Sequence, residues 1–194
     1  ANRWQESDVF CRLDYPIIEL AGKTLGIIGL GELGSAVAKL GQALGMTVLA
    51  LRSENGAESA TIPRVSMEEL LCKADFLSLH CPLTETNTGL VDESFLAKMK
   101  PSAFLINTAR GGLIQTEALL DALDQGLIRG AAIDVLTKEP ATPDEPLLAM
   151  PRPNLIVTPH NAWGASESRA QLIDQLCENI EAWQAGAPIR RVNP

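Results

Sequence analysis

Histidine occurs only twice in the 194 residues, and the four cysteines (Cys11, Cys72, Cys81 and Cys177) form no CxxC pair. That scarcity argues against a zinc site, which needs closely spaced thiolate and imidazole ligands. A disulfide framework is not expected at this size either, so the thiols read as reduced and the protein as cytoplasmic. No run of about 18 apolar residues exists, so no membrane partner is expected. The start, Ala1-Asn2-Arg3-Trp4-Gln5-Glu6, has no apolar signal-peptide core and no initiator Met, and it reads as the continuation of a longer protein. Basic residues are outnumbered: 16 Lys and Arg face 24 Asp and Glu, a net charge of −8. A nucleic-acid surface needs clustered positive charge, so none is expected, and the acidic balance reads as a solvated surface. There is no internal repeat and no low-complexity tract.

What is present is alternation. Apolar, β-branched runs predict buried strands over 24–30, 47–51, 76–80, 104–106, 131–135 and 155–157. Between them lie helical patterns. The first, 34–44, carries Val37, Leu40 and Leu44 on one face and Gly45 as its stop. Ser66-Met67-Glu68-Glu69 has the spacing of a capping box and opens the second. Helices over 92–99 and 116–125 follow, the latter with Leu119, Leu120 and Leu123 inward. Residues 139–153 form a proline-rich loop. Such alternation implies parallel βαβ units, and so an α/β fold with a Rossmann-type doubly wound parallel sheet. The ends break the pattern. Residues 2–20 read as a helix and an extended lead-in, and 165–185 as a helix with Leu172, Leu176, Ile180 and Trp183 at helical spacing. Both are expected to pack against something else.

Gly29-Leu30-Gly31-Glu32-Leu33-Gly34 is a GxGxxG sequence with a strand before it and a helix after it. In that setting Gly29 makes the tight turn, Gly31 lets backbone approach a pyrophosphate, and Gly34 permits close helix–strand packing. The helix N-terminus then offers free N–H groups to the phosphates. The end of the second strand is where an Asp or Glu would bind the ribose hydroxyls of NAD. Arg52 and Ser53 stand there instead. Arginine accepts no hydrogen bond but pairs with a 2′-phosphate, so the expected cofactor is NADP or NAD, with NADP favoured. The competing reading is an exposed Arg52 that stacks on adenine or faces solvent.

Three phrases follow strand ends: Asn107-Thr108-Ala109-Arg110-Gly111-Gly112, Lys138-Glu139-Pro140, and Thr158-Pro159-His160-Asn161-Ala162-Trp163. Ligands bind at the carboxyl edge of a parallel sheet, so Arg110, Glu139 and His160 are expected to converge there. A guanidinium suits a carboxylate, and an imidazole beside a carboxylate suits proton transfer. His80 reads as a backbone position beside the cofactor, Cys81 as a packed thiol near the cleft, and Trp163 as either a pocket wall or an ordinary packed aromatic.

These phrases, with residues 19–31, Leu79-His80-Cys81-Pro82-Leu83-Thr84 and Asp134-Val135, resemble the D-isomer-specific 2-hydroxyacid dehydrogenases, most closely the hydroxypyruvate reductase or glycerate dehydrogenase group. The resemblance covers nearly all of the chain. It implies an oxidoreductase moving hydride between NAD(P)H and a small 2-keto or D-2-hydroxy acid. It implies a catalytic set of Arg110 (substrate carboxylate), His160 (acid/base) and Glu139 (imidazole partner), with no metal. It implies cofactor contacts from Glu32 and Leu33, His80, Cys81 and Pro82, Asn87, Thr108 and Ala109, with Asp134 at the nicotinamide end. It also implies a homodimer, and a domain plan of 1–20 as a linker from a substrate domain whose bulk precedes this chain, 21–164 as the dinucleotide-binding domain, and 165–194 as a helix returning toward the substrate domain. By itself this chain would then be inactive. The sequence departs from the family at Arg52, Asn87, Gln115, Thr116 and Asn161. Two other readings stand beside this one: a non-catalytic, dinucleotide-sensing scaffold like the related corepressors, and a relative of formate or phosphoglycerate dehydrogenases.

Overall fold

A computed structural model describes residues 4–13, 16–52 and 61–192. Seven parallel strands form one sheet: β1 (Thr24–Ile28), β2 (Thr47–Leu51), β3 (Arg64–Val65), β4 (Phe76–Leu79), β5 (Phe104–Asn107), β6 (Gly130–Ile133) and β7 (Leu155–Val157). Their spatial order is β3-β2-β1-β4-β5-β6-β7. The order reverses between β1 and β4, which opens a crevice at the carboxyl edge where ligands bind in such sheets. The expected α/β doubly wound class is the observed one.

Helices α1 (Glu32–Ala43), α2 (Met67–Lys73), α3 (Glu93–Leu96), α4 (Thr116–Asp124) and α5 (Ser166–Gln184) connect or follow the strands. The Ser66 half of the capping box forms, Ser66 Oγ accepting from Glu69 N at 3.2 Å, while Glu69 Oε1 accepts from Lys73 Nζ at 2.6 Å. Asp92 caps α3 in the same way, accepting from Phe95 N at 2.8 Å. Leu119, Leu120 and Leu123 are buried in α4 as their spacing requires.

The inward face of α1 agrees with expectation only at Val37, which packs partly buried against the β1–β2 side. Gly34, Ala38 and Gly41 are its buried residues, while Leu40 and Leu44 are 65% and 55% exposed. The reason is closeness. A Cβ on Gly41 would stand 2.7 Å from Leu25 Cδ2, so only small residues fit where the helix crosses the sheet. The large leucines are therefore left outside.

The two sides of the sheet are unequal. Beneath α2, α3 and α4 lies the main core, with Leu70, Leu77, Leu79, Leu96, Leu105 and Leu119 fully buried. On the other side α1 covers only β1 and β2, through Leu25, Ile27, Val48 and Ala50. Beyond it Ile106 and Ala132 are only partly buried, and Ile156 is 65% exposed. A parallel sheet normally has both faces covered. Helix α5 buries none of its residues and exposes Leu172, Leu176, Ile180 and Trp183. The amino-terminal lead-in has a short 3-10 turn, Trp4–Glu6, and exposes Phe10 and Ile17.

Candidate functional site

The glycine turn leaves β1 and enters α1. Gly29 has φ +98, in the left-handed half of backbone space, and a Cβ there would meet Cys81 N at 2.5 Å. A Cβ on Gly34 would fall 2.0 Å from Gly29 O, so this glycine is required for α1 to start so close to the strand. A Cβ on Gly31 would meet nothing within 4 Å. Gly31 therefore presents bare backbone to open space, as a cradle for a ligand would. It is the N-cap of α1, and no side chain caps that helix end. Donor groups at an uncapped helix N-terminus suit phosphate oxygens. Glu32 and Leu33 are exposed in the first turn. These residues fit a dinucleotide pyrophosphate.

The turn opens into a cleft of about 450 Å³ lined by Gly29, Gly31, Arg52, Arg64, Cys81 and Asn87, among others. Arg52 stands just past β2, as expected. Ser53 lies outside the described residues. Arg64 was not foreseen: it sits on β3, a two-residue edge strand too short to show any periodicity, although the basic residue before a capping box was visible. An adjoining cleft of about 500 Å³ is lined by Leu33, His80, Cys81, Pro82, Thr108, Ala109 and Arg110. His80 Nε2 and Ser78 Oγ are 2.9 Å apart, and burial lowers the imidazole pKa. Burial likewise raises the Cys81 thiol pKa, so this half-buried cysteine stays protonated. The Asn87 side chain braces its own loop, accepting from Thr84 N at 2.7 Å and donating to Pro82 O at 2.8 Å.

The register explains how the other residues meet. Asn107 pairs with Ile133, and Ile133 with Val157, so β5, β6 and β7 end side by side. The chain then turns upward three times at one edge. Asn107 is fully buried and shapes the first turn: its Oδ1 accepts from Ala109 N at 3.0 Å and its Nδ2 donates to Arg110 O at 2.9 Å. Arg110 emerges exposed, with Nη1 donating to Ala109 O at 2.6 Å.

Glu139 and His160 are in direct contact at this edge, Oε2 to Nδ1 at 2.7 Å. The other carboxylate oxygen accepts from Leu136 N at 2.8 Å. That backbone bond is the largest of the effects that lower the Glu139 pKa; the His160 bond and the nearby His160 and Arg110 charges add to it and overcome partial burial. Arg110 lines the cleft beside the glycine turn, with His80 and Ala109, and not the one lined by this pair. Both members of the pair line a third, largely apolar cleft of about 540 Å³ with Leu136, Leu148, Val157 and Pro159.

His160 has φ +48, a left-handed conformation that costs a non-glycine residue about 1–2 kcal/mol. Asp134 holds it. This carboxylate is 4% exposed and accepts from Thr158 Oγ1 at 2.5 Å, from Asn161 N at 3.0 Å and from Ala162 N at 3.0 Å. His160 N donates to Asp134 O at 2.8 Å. Burial pushes the Asp134 pKa up, but these three donors and the His160 charge outweigh it and leave it lowered. Asp134, read from the sequence as a cofactor contact, is thus built into the turn that presents His160. Trp163 is 55% exposed and donates Nε1–H to His160 O at 2.9 Å. Among the described residues no three His, Cys, Asp or Glu side chains gather as a metal site would need, and no helix is long and apolar enough to cross a membrane.

Comparison with known proteins shows the family to which this fold belongs. Residues 1–162 match the family described as D-isomer specific 2-hydroxyacid dehydrogenase, NAD binding domain. A glycerate dehydrogenase of Methylorubrum extorquens is 47% identical over 187 residues, covering 95% of this chain and 57% of that protein. A hydroxypyruvate reductase of Blautia hydrogenotrophica is 42% identical over 194 residues, covering 99% of this chain and 60% of that protein. Among solved structures, an acyclic imino acid reductase in complex with NADPH and D-Arg superposes with a TM-score of 0.86 at 34% identity, covering 98% of this chain and 61% of that one. The chain thus spans little more than half the length of these relatives.

Proposed function

The chain belongs to the D-isomer-specific 2-hydroxyacid dehydrogenase family through its NAD-binding domain, and from that premise we propose that it serves hydride transfer between NAD(P)H and a small 2-keto acid of the hydroxypyruvate or glyoxylate type. The observation that carries this reading is the Glu139–His160 pair at 2.7 Å, on the same carboxyl edge of the sheet as Arg110.

Each group has one task. The Arg110 guanidinium offers a planar fork to the substrate carboxylate and its adjacent carbonyl oxygen. His160 Nδ1 is engaged by Glu139, so Nε2 is the nitrogen that meets the substrate oxygen. In reduction that nitrogen gives its proton to the oxygen; in oxidation the neutral ring takes the proton back. Glu139 fixes the ring orientation through its bond to Nδ1. With its pyrophosphate in the glycine cradle, the dinucleotide would supply the hydride chemistry through its nicotinamide ring. Gly31 backbone, Leu33, Cys81, Thr108 and Ala109 would hold the cofactor, and Arg52 favours the 2′-phosphorylated form.

Residues 1–20 and 165–194 are read as parts of a substrate-side module. The bare sheet face at Ile106 and Ile156, and the exposed apolar residues of α5 and the lead-in, support that reading. The exposed Leu40 of α1, with exposed Leu44 just past its end, supports pairing with a second copy in a homodimer.

The test is a steady-state assay of the full-length protein with hydroxypyruvate, glyoxylate and related keto acids, with NADPH and with NADH. Turnover of at least one acid is expected. Dinucleotide binding without turnover of any of them would replace this reading with a sensing scaffold.

A further inference from the structure

We propose that Gly111 is a positioning residue for Glu139: its lack of a side chain lets the Leu136–Thr137 peptide seat against it, and that seat holds the Glu139 carboxylate where it meets His160. This rests on the acid/base reading above and adds to it a residue that acts through Glu139.

A Cβ on Gly111 would stand 2.0 Å from Leu136 C, 2.3 Å from Leu136 O and 2.3 Å from Thr137 N, so a single peptide group fills the place of any side chain. The backbone at Gly111 lies outside the left-handed region, so conformation does not call for glycine there; space alone does. Leu136 also opens the Glu139 turn. Its N–H donates to Glu139 Oε1 at 2.8 Å, and Oε2 of the same carboxylate lies 2.7 Å from His160 Nδ1. Arg110 precedes Gly111 in the chain and lines the neighbouring cleft. Gly111 is thus where the segment that carries the guanidinium rests on the segment that carries the carboxylate.

Contacts of a Cβ essentially never close below 3.0 Å, so a methyl group on Gly111 must part the two segments by about 1 Å. The Gly111 side is the stiffer one. Gly111–Leu113 form a 3-10 turn whose carbonyls are tied on both flanks. Asn107 Nδ2 donates to Arg110 O at 2.9 Å, Gly89 N to Gly112 O at 2.8 Å and Val91 N to Leu113 O at 2.9 Å. Asn107, Val91 and Leu113 are all fully buried. Across the contact Leu136 is only partly buried, and Thr137, Lys138 and Glu139 are exposed. The 136–139 turn is therefore the part that gives way, and it takes the carboxylate with it. His160 does not follow, because Asp134 holds its turn from beneath. A role confined to packing of the 3-10 turn has a different signature: its loss would add to the loss of Glu139 instead of acting through it.

The experiment is a mutant cycle in the full-length protein: wild type, Gly111→Ala, Glu139→Gln and the double variant. Gly112→Ala is the matched control one residue along, where a Cβ would first meet the flexible end of Leu83, at 2.9 Å. Steady-state kinetics with hydroxypyruvate and glyoxylate, dinucleotide titration and melting curves are taken on each. Gly111→Ala is expected to lower kcat by about 10²-fold while the dinucleotide Kd stays within about threefold of wild type. In the Glu139→Gln background the same change should cost less than about threefold, because the carboxylate it displaces is already gone. Gly112→Ala should also cost less than about threefold in kcat. A second readout does not depend on turnover. The Leu136 N–H bond is the largest of the effects that hold the Glu139 carboxyl below 4.5. Its carbon-13 signal, identified by its loss in Glu139→Gln, should titrate closer to 4.5 in Gly111→Ala and as in wild type in Gly112→Ala. Equal falls in kcat in both backgrounds, an unchanged kcat, or a carboxyl titration unmoved by Gly111→Ala would each overturn the proposal. Failure of Gly111→Ala to fold would overturn it too, because the 3-10 turn and not the exposed turn would then have yielded. A wild type that reduces no keto acid would overturn the functional reading instead, and the carboxyl titration would still decide the role of Gly111.

Discussion

Replacing Asp134 with Asn changes almost nothing in shape and removes the charge on which the His160 turn is built. The wild-type carboxylate receives three hydrogen bonds, from Thr158 Oγ1, Asn161 N and Ala162 N. An amide keeps one acceptor oxygen and turns an NH2 group toward groups that are themselves donors. One or two bonds are lost, and the donors they served remain part-buried, at about 2–4 kcal/mol in total. For a chain of this size each kcal/mol moves the melting point by about 2–4 °C, so a fall of roughly 5–15 °C is expected. The left-handed φ of +48 at His160 is held by the same contacts, so the turn relaxes and the imidazole leaves its place beside Glu139. Misplacement of a reacting group by about 1 Å costs on the order of 10²-fold in rate, which sets the expected loss of kcat. The pH dependence has a definite sign. Asp134 is lowered from 3.8 in the folded protein, so its stabilisation is present above that value and is lost as pH falls through the lower folded value. Wild type and variant should therefore differ fully at neutral pH and converge in strong acid. Thermal unfolding and steady-state kinetics measure both effects. A melting point within about 1 °C of wild type with unchanged kcat would refute the reasoning.

Other outcomes follow from the same geometry. Glu139→Gln puts an amide where Nδ1 of His160 has a carboxylate, and kcat should fall by about 10²–10⁴-fold with little change in dinucleotide affinity, measured by kinetics and titration. Because Glu139 is lowered from 4.5, the pair should persist to pH values below that and dissolve only as pH falls through the folded value; a carboxylate signal titrating above 4.5 by NMR would contradict it. Gly34→Ala drives a Cβ toward Gly29 O at 2.0 Å, so the turn must open, and dinucleotide affinity should drop at least tenfold by calorimetry. Gly126→Ala, whose Cβ would meet nothing within 4 Å but whose φ is +68, should lower the melting point slightly and leave that affinity unchanged.

The sheet was legible because its strands read as continuous apolar runs, including the partly exposed β5, β6 and β7. β2 and β7 have the bounds that the pattern predicts, and β1, β4, β5 and β6 differ by a residue or two at their ends. Strand β3 was not legible, since Arg64–Val65 is too short for any period and its pairing with Ala50 and Leu51 is a long-range event. The face of α1 was misread for a physical reason: periodicity follows large apolar residues, but the helix beside the glycine turn packs through Gly34, Ala38 and Gly41. The helix predicted over 92–99 is regular only over Glu93–Leu96, because turns carry the chain on from there to Pro101. At the site, the placement of Arg110, Glu139 and His160 past the ends of neighbouring strands was legible, because those strand ends share one edge. The bond between Glu139 and His160, and the embrace of the His160 turn by Asp134, depend on how 134–139 and 158–162 fold back on each other, which no local pattern encodes.

The most direct test of the account is a single-turnover measurement of NAD(P)H oxidation by hydroxypyruvate in full-length His160→Asn protein, with the dinucleotide Kd taken on the same sample. The rate is expected to fall by about 10²–10⁴-fold while the Kd stays within about threefold of wild type. A wild-type rate in that variant would contradict the assignment of His160 as the proton donor, and with it the reading of this sheet edge as the place of reaction.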